Sequence, residues 1–179
     1  MKLLLDACVL YPTVIRNLLL NVSDELSWDI NWSERILEEW RRASTKTNAE
    51  AEVQAAAEIT MLKVKYPKAI VNNFERHIPK LYLPDQNDVH VLAAAIESET
   101  NVIVTLNLRD FPNSELVKYG IRRVHPDELL HKEALDNFDL ISNLVSTILN
   151  DFNSSETDKI NEYRLLKKSK LNRLSKLFR

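Results

Sequence analysis

Residues 1–12 read MKLLLDACVLYP, and this stretch organises the predicted fold. Lys2–Leu5 is a short apolar run, which is typical of a buried strand. Asp6 follows it directly, and Pro12 ends the stretch. In open α/β sheets, ligands bind outside the carboxyl ends of the strands. An acid at the end of a first, central strand therefore marks a candidate binding site, although Asp6 taken alone is equally typical of an exposed turn or a helix cap.

The composition limits the class of protein. A chain of 179 residues with 45% hydrophobic residues suits one domain, or one domain with an appendage. No apolar run reaches the roughly 18 residues of a membrane span. The single cysteine, Cys8, excludes a disulfide framework and a thiolate zinc site, so a cytoplasmic setting is the default expectation. The single glycine, Gly120, excludes the Gly-rich phosphate loops of nucleotide-binding proteins.

The charge is distributed unevenly along the chain. Residues 164–179 carry seven basic side chains and no acid, whereas residues 1–163 carry 17 basic and 26 acidic residues. An acidic body is compatible with acids gathered around a cation. For the basic tail the sequence leaves four roles open: it binds RNA phosphates, docks on the acidic body, contacts a protein partner, or is a solvated helix face.

Strand and helix patterns alternate up to about residue 125. This alternation predicts an α/β fold with a parallel sheet and helices on both of its faces. From Pro126 onwards the chain is predicted to be helical, apart from a break over residues 153–156. Leu171, Leu174 and Phe178 are expected to share a face that is at least partly covered. The predicted strands are 2–5, 28–32, 101–105 and 121–124, and the predicted helices between them are 12–22, 34–43, 48–65, 69–75 and 88–99.

Helical geometry separates the two acids Glu38 and Glu39. At about 100° per residue, Glu39 lies about 300° from Ile36 and Glu38 about 200° from it. Glu38 is therefore expected in solvent, while Glu39 borders the apolar face that Ile36 and Trp40 define. An acid at that border needs a cation or another partner, because an unpaired buried charge is costly. A salt bridge from Glu39 to an arginine is the alternative.

Further acids are expected near the same rim of the sheet. Asp85 and Asp88 stand at a predicted helix start, where acids also serve as caps; Asp85 is the better cap, and Asp88 aligns with the buried face. Asn107 and Asp110 follow the strand that ends at Thr105, in a loop whose composition is also ordinary for turns. Carboxylates gathered at one place repel each other, and a hard cation such as Mg²⁺ or Mn²⁺ would offset that repulsion. Such ions promote displacement at phosphorus.

Four stretches of the chain together carry a family resemblance. They are LLLDACVLYP (3–12), SERILEEWRR (33–42), LPDQNDVHVLAAAI (83–96) and VIVTLNLRDFP (102–112). In this order they resemble the PIN-domain nucleases and in particular the VapC-type ribonuclease toxins of toxin–antitoxin pairs. The resemblance implies a Rossmann-like parallel sheet in a PIN-like nuclease domain over residues 1–127. Residues 128–179 would be a helical C-terminal extension with a basic tail.

The resemblance also implies the roles of individual residues. The position two residues after the first acid is often a small polar residue in the family and is Cys8 here, which argues against a hydrogen-bonding role at that position. The implied metal ligands are Asp6, Asp88 and Asp110, which hold Mg²⁺ or Mn²⁺. The implied catalytic residues are Asp6, Glu39, Asp88 and Asp110, with Thr105 and Asn107 in support.

The function that follows is a divalent-metal-dependent endoribonuclease that hydrolyses RNA phosphodiester bonds, as the toxin of a type II toxin–antitoxin pair. RNA is then the substrate, a cognate antitoxin and a second copy of the chain are expected partners, and no membrane is involved. The alternative is a non-catalytic PIN-like module that binds RNA or protein. A phosphotransferase of the haloacid dehalogenase type is disfavoured, because it needs a second acid where Cys8 stands.

Overall fold

A computed structural model describes residues 1–155 and 158–179. Two compact units are present. The sheet unit comprises Met1–Tyr11 and Trp28–Val124, and the helical unit comprises Pro12–Ser27 and His125–Arg179. The helix Thr13–Glu25 is therefore grouped with the C-terminal helices. The division into domains 1–127 and 128–179 stays a prediction.

A parallel sheet of four strands forms the centre of the sheet unit, and the strand order is β2-β1-β3-β4. Every neighbouring pair is parallel, and β1 lies between β2 and β3, so the predicted central position of the first strand is confirmed. The side chains of Leu3, Leu4 and Leu5 are fully buried, as the apolar run predicts. The strands are β1 (Lys2–Leu5), β2 (Asp29–Asn31), β3 (Val102–Val104) and β4 (Arg122–Val124).

Helices connect and flank the strands, which confirms an α/β fold with a helical C-terminal portion. The first five α-helices in chain order are α1 (Ala7–Leu10), α2 (Thr13–Glu25), α3 (Glu34–Thr45), α4 (Ala49–Lys65) and α5 (Val89–Glu97). The next five are α6 (Asn113–Leu116), α7 (Pro126–Asp136), α8 (Phe138–Ser155), α9 (Glu162–Lys168) and α10 (Asn172–Ser175). Short 3₁₀ helices cover Phe74–Lys80, Gln86–Asp88, Leu108–Asp110, Val117–Tyr119 and Lys176–Phe178.

Side-chain caps set where two of these helices begin. The Ser33 hydroxyl accepts a hydrogen bond from the Ile36 amide at 3.2 Å, as expected for the residue before α3. The Asn48 side chain accepts from the Ala51 amide at 2.7 Å and starts α4 in the same way. Each cap satisfies an amide that has no partner within its helix.

The helix predicted over residues 69–75 is wrong. Residues around Ile70 form a parallel bridge with Trp32 instead. The Trp32 amide donates to the Ala69 carbonyl at 2.9 Å, and the Val71 amide donates to the Trp32 carbonyl at 2.8 Å. The backbone pairing of residues 69–71 with Trp32, just after the edge strand β2, outweighs local helix propensity. This pairing gives hydrogen-bond partners to backbone groups at the edge of the sheet that would otherwise lack them.

The helical unit has its own apolar core and one buried carboxylate that accepts backbone hydrogen bonds. Leu171 and Leu174 are fully buried and Phe178 is half-buried, so the apolar face predicted for the basic tail is at least partly covered, as expected. The carboxylate of Asp127, only 7% exposed, accepts hydrogen bonds from the amides of Arg173 and Leu174 at 2.8–3.0 Å. All seven basic side chains of residues 164–179 are exposed. The helix α8 continues through Ser155, beyond the break predicted over residues 153–156, and residue 156 lies outside the described residues.

Across the part of the chain that the structure describes, the helices are all too short or too polar to cross a membrane.

Truncating a side chain in the central strand is expected to destabilise the protein strongly. The Leu4→Ala variant removes a fully buried side chain from β1 and should lower the free energy of unfolding by about 2–5 kcal/mol. The control Val117→Ala shortens a side chain that is 70% exposed and should change it by less than about 0.5 kcal/mol. Urea unfolding followed by far-ultraviolet circular dichroism measures both; equal losses would contradict the placement of β1.

Candidate active site

Asp6 lies at the carboxyl end of β1 and is held there by the neighbouring strand. Its amide donates to the carbonyl of Val104 at 3.1 Å, which extends the pairing of β1 with β3 by one residue. One carboxylate oxygen, Oδ2, accepts a hydrogen bond from the Thr105 hydroxyl at 2.7 Å. Asp6 is only 7% exposed, and its side chain does not cap α1. The structure therefore excludes the exposed-turn and helix-cap readings of this residue.

Cys8 takes part in the same network, which corrects the expectation from its side-chain type. Its thiol donates to Asp6 Oδ2 at 3.0 Å, and its sulfur accepts from the Leu106 amide at 3.2 Å. Burial, and then the negative charge of Asp6, raise the pKa of the Cys8 thiol to about 12. The thiol is therefore neutral at physiological pH and serves as a hydrogen-bond donor that orients Asp6.

Three acids converge beside this network. One carboxylate oxygen from each of Asp85, Asp88 and Asp110 lies within 4.8 Å of the others, and all three residues are half-buried. Asp85 also accepts from the Asn87 amide at 2.9 Å, so it caps its turn as predicted. Asp88 precedes α5 and makes no side-chain cap. The sequence reasoning missed Asp85 as a site residue; its position one turn before Asp88 is the signal that would have found it.

The loop after β3 organises its own polar residues. The Asn107 amide donates to the Thr105 hydroxyl at 3.0 Å, and the Asn107 side chain donates to the Asp110 carboxylate. Thr105 thus connects this loop to Asp6, since its hydroxyl also donates to that carboxylate. The structure therefore brings the supporting pair Thr105 and Asn107 next to the acids they were predicted to support.

Glu39 approaches the site from α3 and contacts a buried histidine. Its Oε1 lies 2.8 Å from His90 Nε2 and 3.6 Å from Arg35 Nε. The side chain of Glu39 is 34% exposed and that of His90 is fully buried. Neither nitrogen of His90 makes a hydrogen bond of good geometry with the described residues. The arginine salt bridge considered from sequence is therefore present as a longer contact beside the histidine.

Glu38 lies on the outer side of α3, as the helical geometry predicts. Hydrogen bonds first from Arg41 and then from Arg42 lower the pKa of its carboxyl to about 2. It is a surface ion-pair residue and takes no part in the site.

The pKa of Asp88 is raised by its burial and by the acids around it. Burial, followed by the negative charges of Asp6, Asp85, Asp110 and Glu39, raises it from 3.8 to about 7. The other three acids predicted to be catalytic, together with Asp85, therefore lie close enough to act electrostatically on Asp88. The carboxylate oxygens close enough for one ion belong to Asp85, Asp88 and Asp110, whereas Asp6 and Glu39 lie farther out.

The donor set suits a hard divalent cation. Carboxylate oxygens favour Mg²⁺ and Mn²⁺, and the nearby thiol is protonated, so it offers no soft thiolate ligand. Among residues 1–155 and 158–179, no lysine or arginine lies at ion-pair distance from Asp85, Asp88 or Asp110. The charge of this group is therefore not neutralised by the protein itself.

Comparison with known proteins identifies the family. The family model of the PIN domain matches residues 2–109, which contain β1, β2, β3 and every acid of the candidate site except Asp110. The chain belongs to the PIN-domain family. The predicted resemblance to PIN-domain proteins is confirmed.

One curated relative of this PIN-domain protein is "Putative ribonuclease VapC50" of Mycobacterium tuberculosis (strain ATCC 25618 / H37Rv). The two are 42% identical over 62 residues, which are 35% of this chain and 34% of the relative. The matched segment thus spans about one third of either protein. No solved structure matches the chain significantly.

Neutralising Asp88 is expected to stabilise the metal-free protein at high pH. Because the pKa of folded Asp88 exceeds its unfolded value, the folded state holds the proton more tightly. Its contribution to stability is therefore complete below about pH 4 and is lost as the pH rises through 7. In EDTA, Asp88→Asn should raise the melting temperature at pH 8 by on the order of 2–4 °C, after allowance for solvent screening.

The same variant should gain much less at pH 5, where Asp88 of the parent is still protonated in the folded state. Glu75→Gln is the control, because Glu75 is an exposed acid outside the site. Melting curves followed by circular dichroism at both pH values measure the difference. An equal gain at pH 5 and pH 8 would show that charge repulsion at Asp88 is not the cause.

Proposed function

We propose that this protein is a divalent-metal-dependent endoribonuclease that hydrolyses RNA phosphodiester bonds. The observation that carries the proposal is the half-buried group of Asp85, Asp88 and Asp110, whose oxygens converge without a lysine or arginine at ion-pair distance among the described residues. Such a group costs electrostatic energy unless a cation occupies it. Membership of the PIN-domain family supports the same reading.

Asp88 and Asp110 are the proposed central ligands of Mg²⁺ or Mn²⁺, and Asp6 completes the set directly or through water. Asp85 is added to the ligands predicted from sequence, since its carboxylate faces the same point. A bound cation would supply Lewis acidity at the scissile phosphate and lower the pKa of a bound water. The hydrogen bonds from Thr105 and Cys8 hold the carboxylate of Asp6 in one orientation.

Glu39 is proposed to orient the attacking water and to accept its proton. Its carboxylate is partly exposed, so water reaches it, and it lies at the edge of the acidic group. Its Oε1 contacts the buried His90 and the more exposed Arg35. Asn107 is proposed to hold Asp110 in place through its side-chain amide, with Thr105 anchoring the loop.

The test is cleavage of a single-stranded RNA by the purified full chain with Mg²⁺ or Mn²⁺. Asp6→Asn, Asp88→Asn and Asp110→Asn keep the side-chain shape but remove the charge that binds the cation. Each should lower the cleavage rate by at least about 100-fold, which is typical for loss of a transition-state electrostatic contact. Glu75→Gln should cleave at the parent rate. Full activity of Asp88→Asn would exclude the proposed site.

A second candidate function, binding of RNA or protein without cleavage, is favoured by the seven exposed basic side chains of residues 164–179. Addition of millimolar Mn²⁺ separates the two candidates, because a ligand that binds only the folded state raises the melting temperature. The endoribonuclease proposal expects such a rise in the parent and a smaller one in Asp88→Asn. No rise in either protein, together with retained RNA binding, would favour the non-catalytic module.

The proposed biological setting is that of a toxin in a type II toxin–antitoxin pair in the cytoplasm, with a cognate antitoxin and a second copy of the chain as protein partners. The VapC name of the matched relative supports this setting. Expression of the chain in a bacterial host should arrest growth, and Asp88→Asn should not. Arrest by both proteins would show that cleavage is not its cause.

A further inference from the structure

The helix α9 carries three basic side chains on one face. At about 100° per residue, Lys167 lies about 60° from Arg164 around the helix axis, and Lys168 lies about 40° from it on the other side. All three side chains are exposed. Leu165 and Leu166, on the opposite side, are buried in the helical unit. The buried leucines therefore hold α9 with its basic face turned to solvent.

Tyr163 joins a fourth cation to this face. Its hydroxyl accepts hydrogen bonds from Lys167 Nζ at 3.1 Å and from Arg179 Nη2 at 3.4 Å. Both cations also lie 5.4 Å from the centroid of the tyrosine ring, which is within the range of a cation–π contact. The hydrogen bonds from Arg179 and then from Lys167 lower the pKa of Tyr163. We define the basic surface as Tyr163, Arg164, Lys167, Lys168 and Arg179.

The cations of the basic surface are not neutralised by acids of the protein. Among residues 1–155 and 158–179, no aspartate or glutamate lies at ion-pair distance from any of its four cations. The arginines of the sheet unit differ in this respect, since Arg41, Arg42 and Arg76 each pair with a glutamate. The charges of the basic surface are therefore available to an anion that comes from outside the chain.

An open groove runs beside the basic face of α9. Its volume is about 700 Å³, and Arg164 and Lys168 line it together with Asp158, Lys159 and Ile160. Three basic side chains and one acid leave the lining with a net charge of +2. The groove is thus large enough for a chain segment and attracts negative charge.

The chemistry of this region selects phosphate groups as its ligand. Among residues 158–179, all of which the structure describes, no large hydrophobic side chain is exposed. A helix that lies on a membrane inserts apolar side chains, and the centre of a protein–protein interface is depleted in charge. Contacts to a nucleic-acid backbone need only cations and hydrogen-bond donors. Nucleic acid is therefore favoured over a membrane or a protein.

We propose that the basic surface binds the phosphate backbone of RNA without regard to base sequence. The proposal rests on the proposed function only in taking RNA as the ligand, and it uses none of the acids of the candidate active site. Four cations that each meet one phosphate would release about three counterions from a single strand. The logarithm of the binding constant should then fall with the logarithm of the salt concentration with a slope of about −3.

Fluorescence anisotropy of a labelled single-stranded RNA of about 20 nucleotides tests the proposal. The full chain carries Asp88→Asn and the buffer contains EDTA, so that binding is measured without cleavage. The tail variant combines Arg164→Gln, Lys167→Gln and Lys168→Gln in this background. It should bind at least about tenfold more weakly in 100 mM KCl, and the magnitude of its salt slope should fall by about 2.

A matched control removes three charges elsewhere. The control variant combines Lys46→Gln, Lys68→Gln and Lys80→Gln, which are exposed lysines of the sheet unit, in the same background. Its net charge equals that of the tail variant, so a local contact predicts binding within about twofold of the Asp88→Asn protein. Circular dichroism verifies that both triple variants are folded.

Three results would overturn the proposal. They are unchanged RNA binding in the tail variant, an equal loss in the control variant, and tighter binding of the Asp88→Asn protein to phosphatidylserine vesicles or to polyglutamate than to the RNA. Because the assay contains neither metal nor cleavage, its outcome does not depend on whether the parent cuts RNA. A parent that fails to cleave RNA while the tail variant loses RNA binding would contradict the proposed function alone.

Discussion

The parallel pairing of β1 with β3 is the contact on which the candidate site depends. Leu5 is in register with Val104, so the next residue of each strand, Asp6 and Thr105, lies at the same rim. A hydrogen bond of 2.7 Å joins their side chains at that rim. A slip of one residue in register would turn Asp6 to the opposite face of the sheet. The loop that carries Asn107 and Asp110 would then lose its connection to Asp6.

Gathering acids at this rim costs electrostatic energy, because their negative charges repel one another. The high pKa of Asp88 is the response of one carboxyl group to burial and to four neighbouring charges. A proton and a divalent cation would therefore compete for the same oxygens, and the proposed cation should bind more weakly in acid. The neutral thiol of Cys8 adds no further negative charge while it orients Asp6.

Much of this arrangement follows from local patterns. Apolar and β-branched runs predict the two inner strands, β1 and β3, because nearly all of their side chains are buried. Proximity to the end of an inner strand predicts Asp6 and Asp110. The position of Glu39 follows from helical angle alone, since Glu39 borders the buried side of α3 and its neighbour Glu38 pairs with surface arginines. These inferences need only residues that are close in sequence.

The missed features depend on contacts between distant parts of the chain. Pairing with Trp32 turned residues 69–71 into an extended segment, which no local propensity reveals. Asp85 was predicted to be a cap, and it does cap its turn. The fold also places one of its carboxylate oxygens within 4.8 Å of one from Asp110. The contact of His90 with Glu39 joins two helices that are far apart in sequence. The role of Cys8 arises because Leu106 and Asp6 become neighbours only in the sheet.

The most direct test of the central claim is anomalous X-ray diffraction at the manganese absorption edge, from crystals of the full chain grown with MnCl₂ at neutral pH. The account predicts an anomalous peak about 2.2 Å from carboxylate oxygens of Asp88 and at least one of Asp85 and Asp110. Carboxylates that point apart at this rim, with no manganese peak among them, would contradict it.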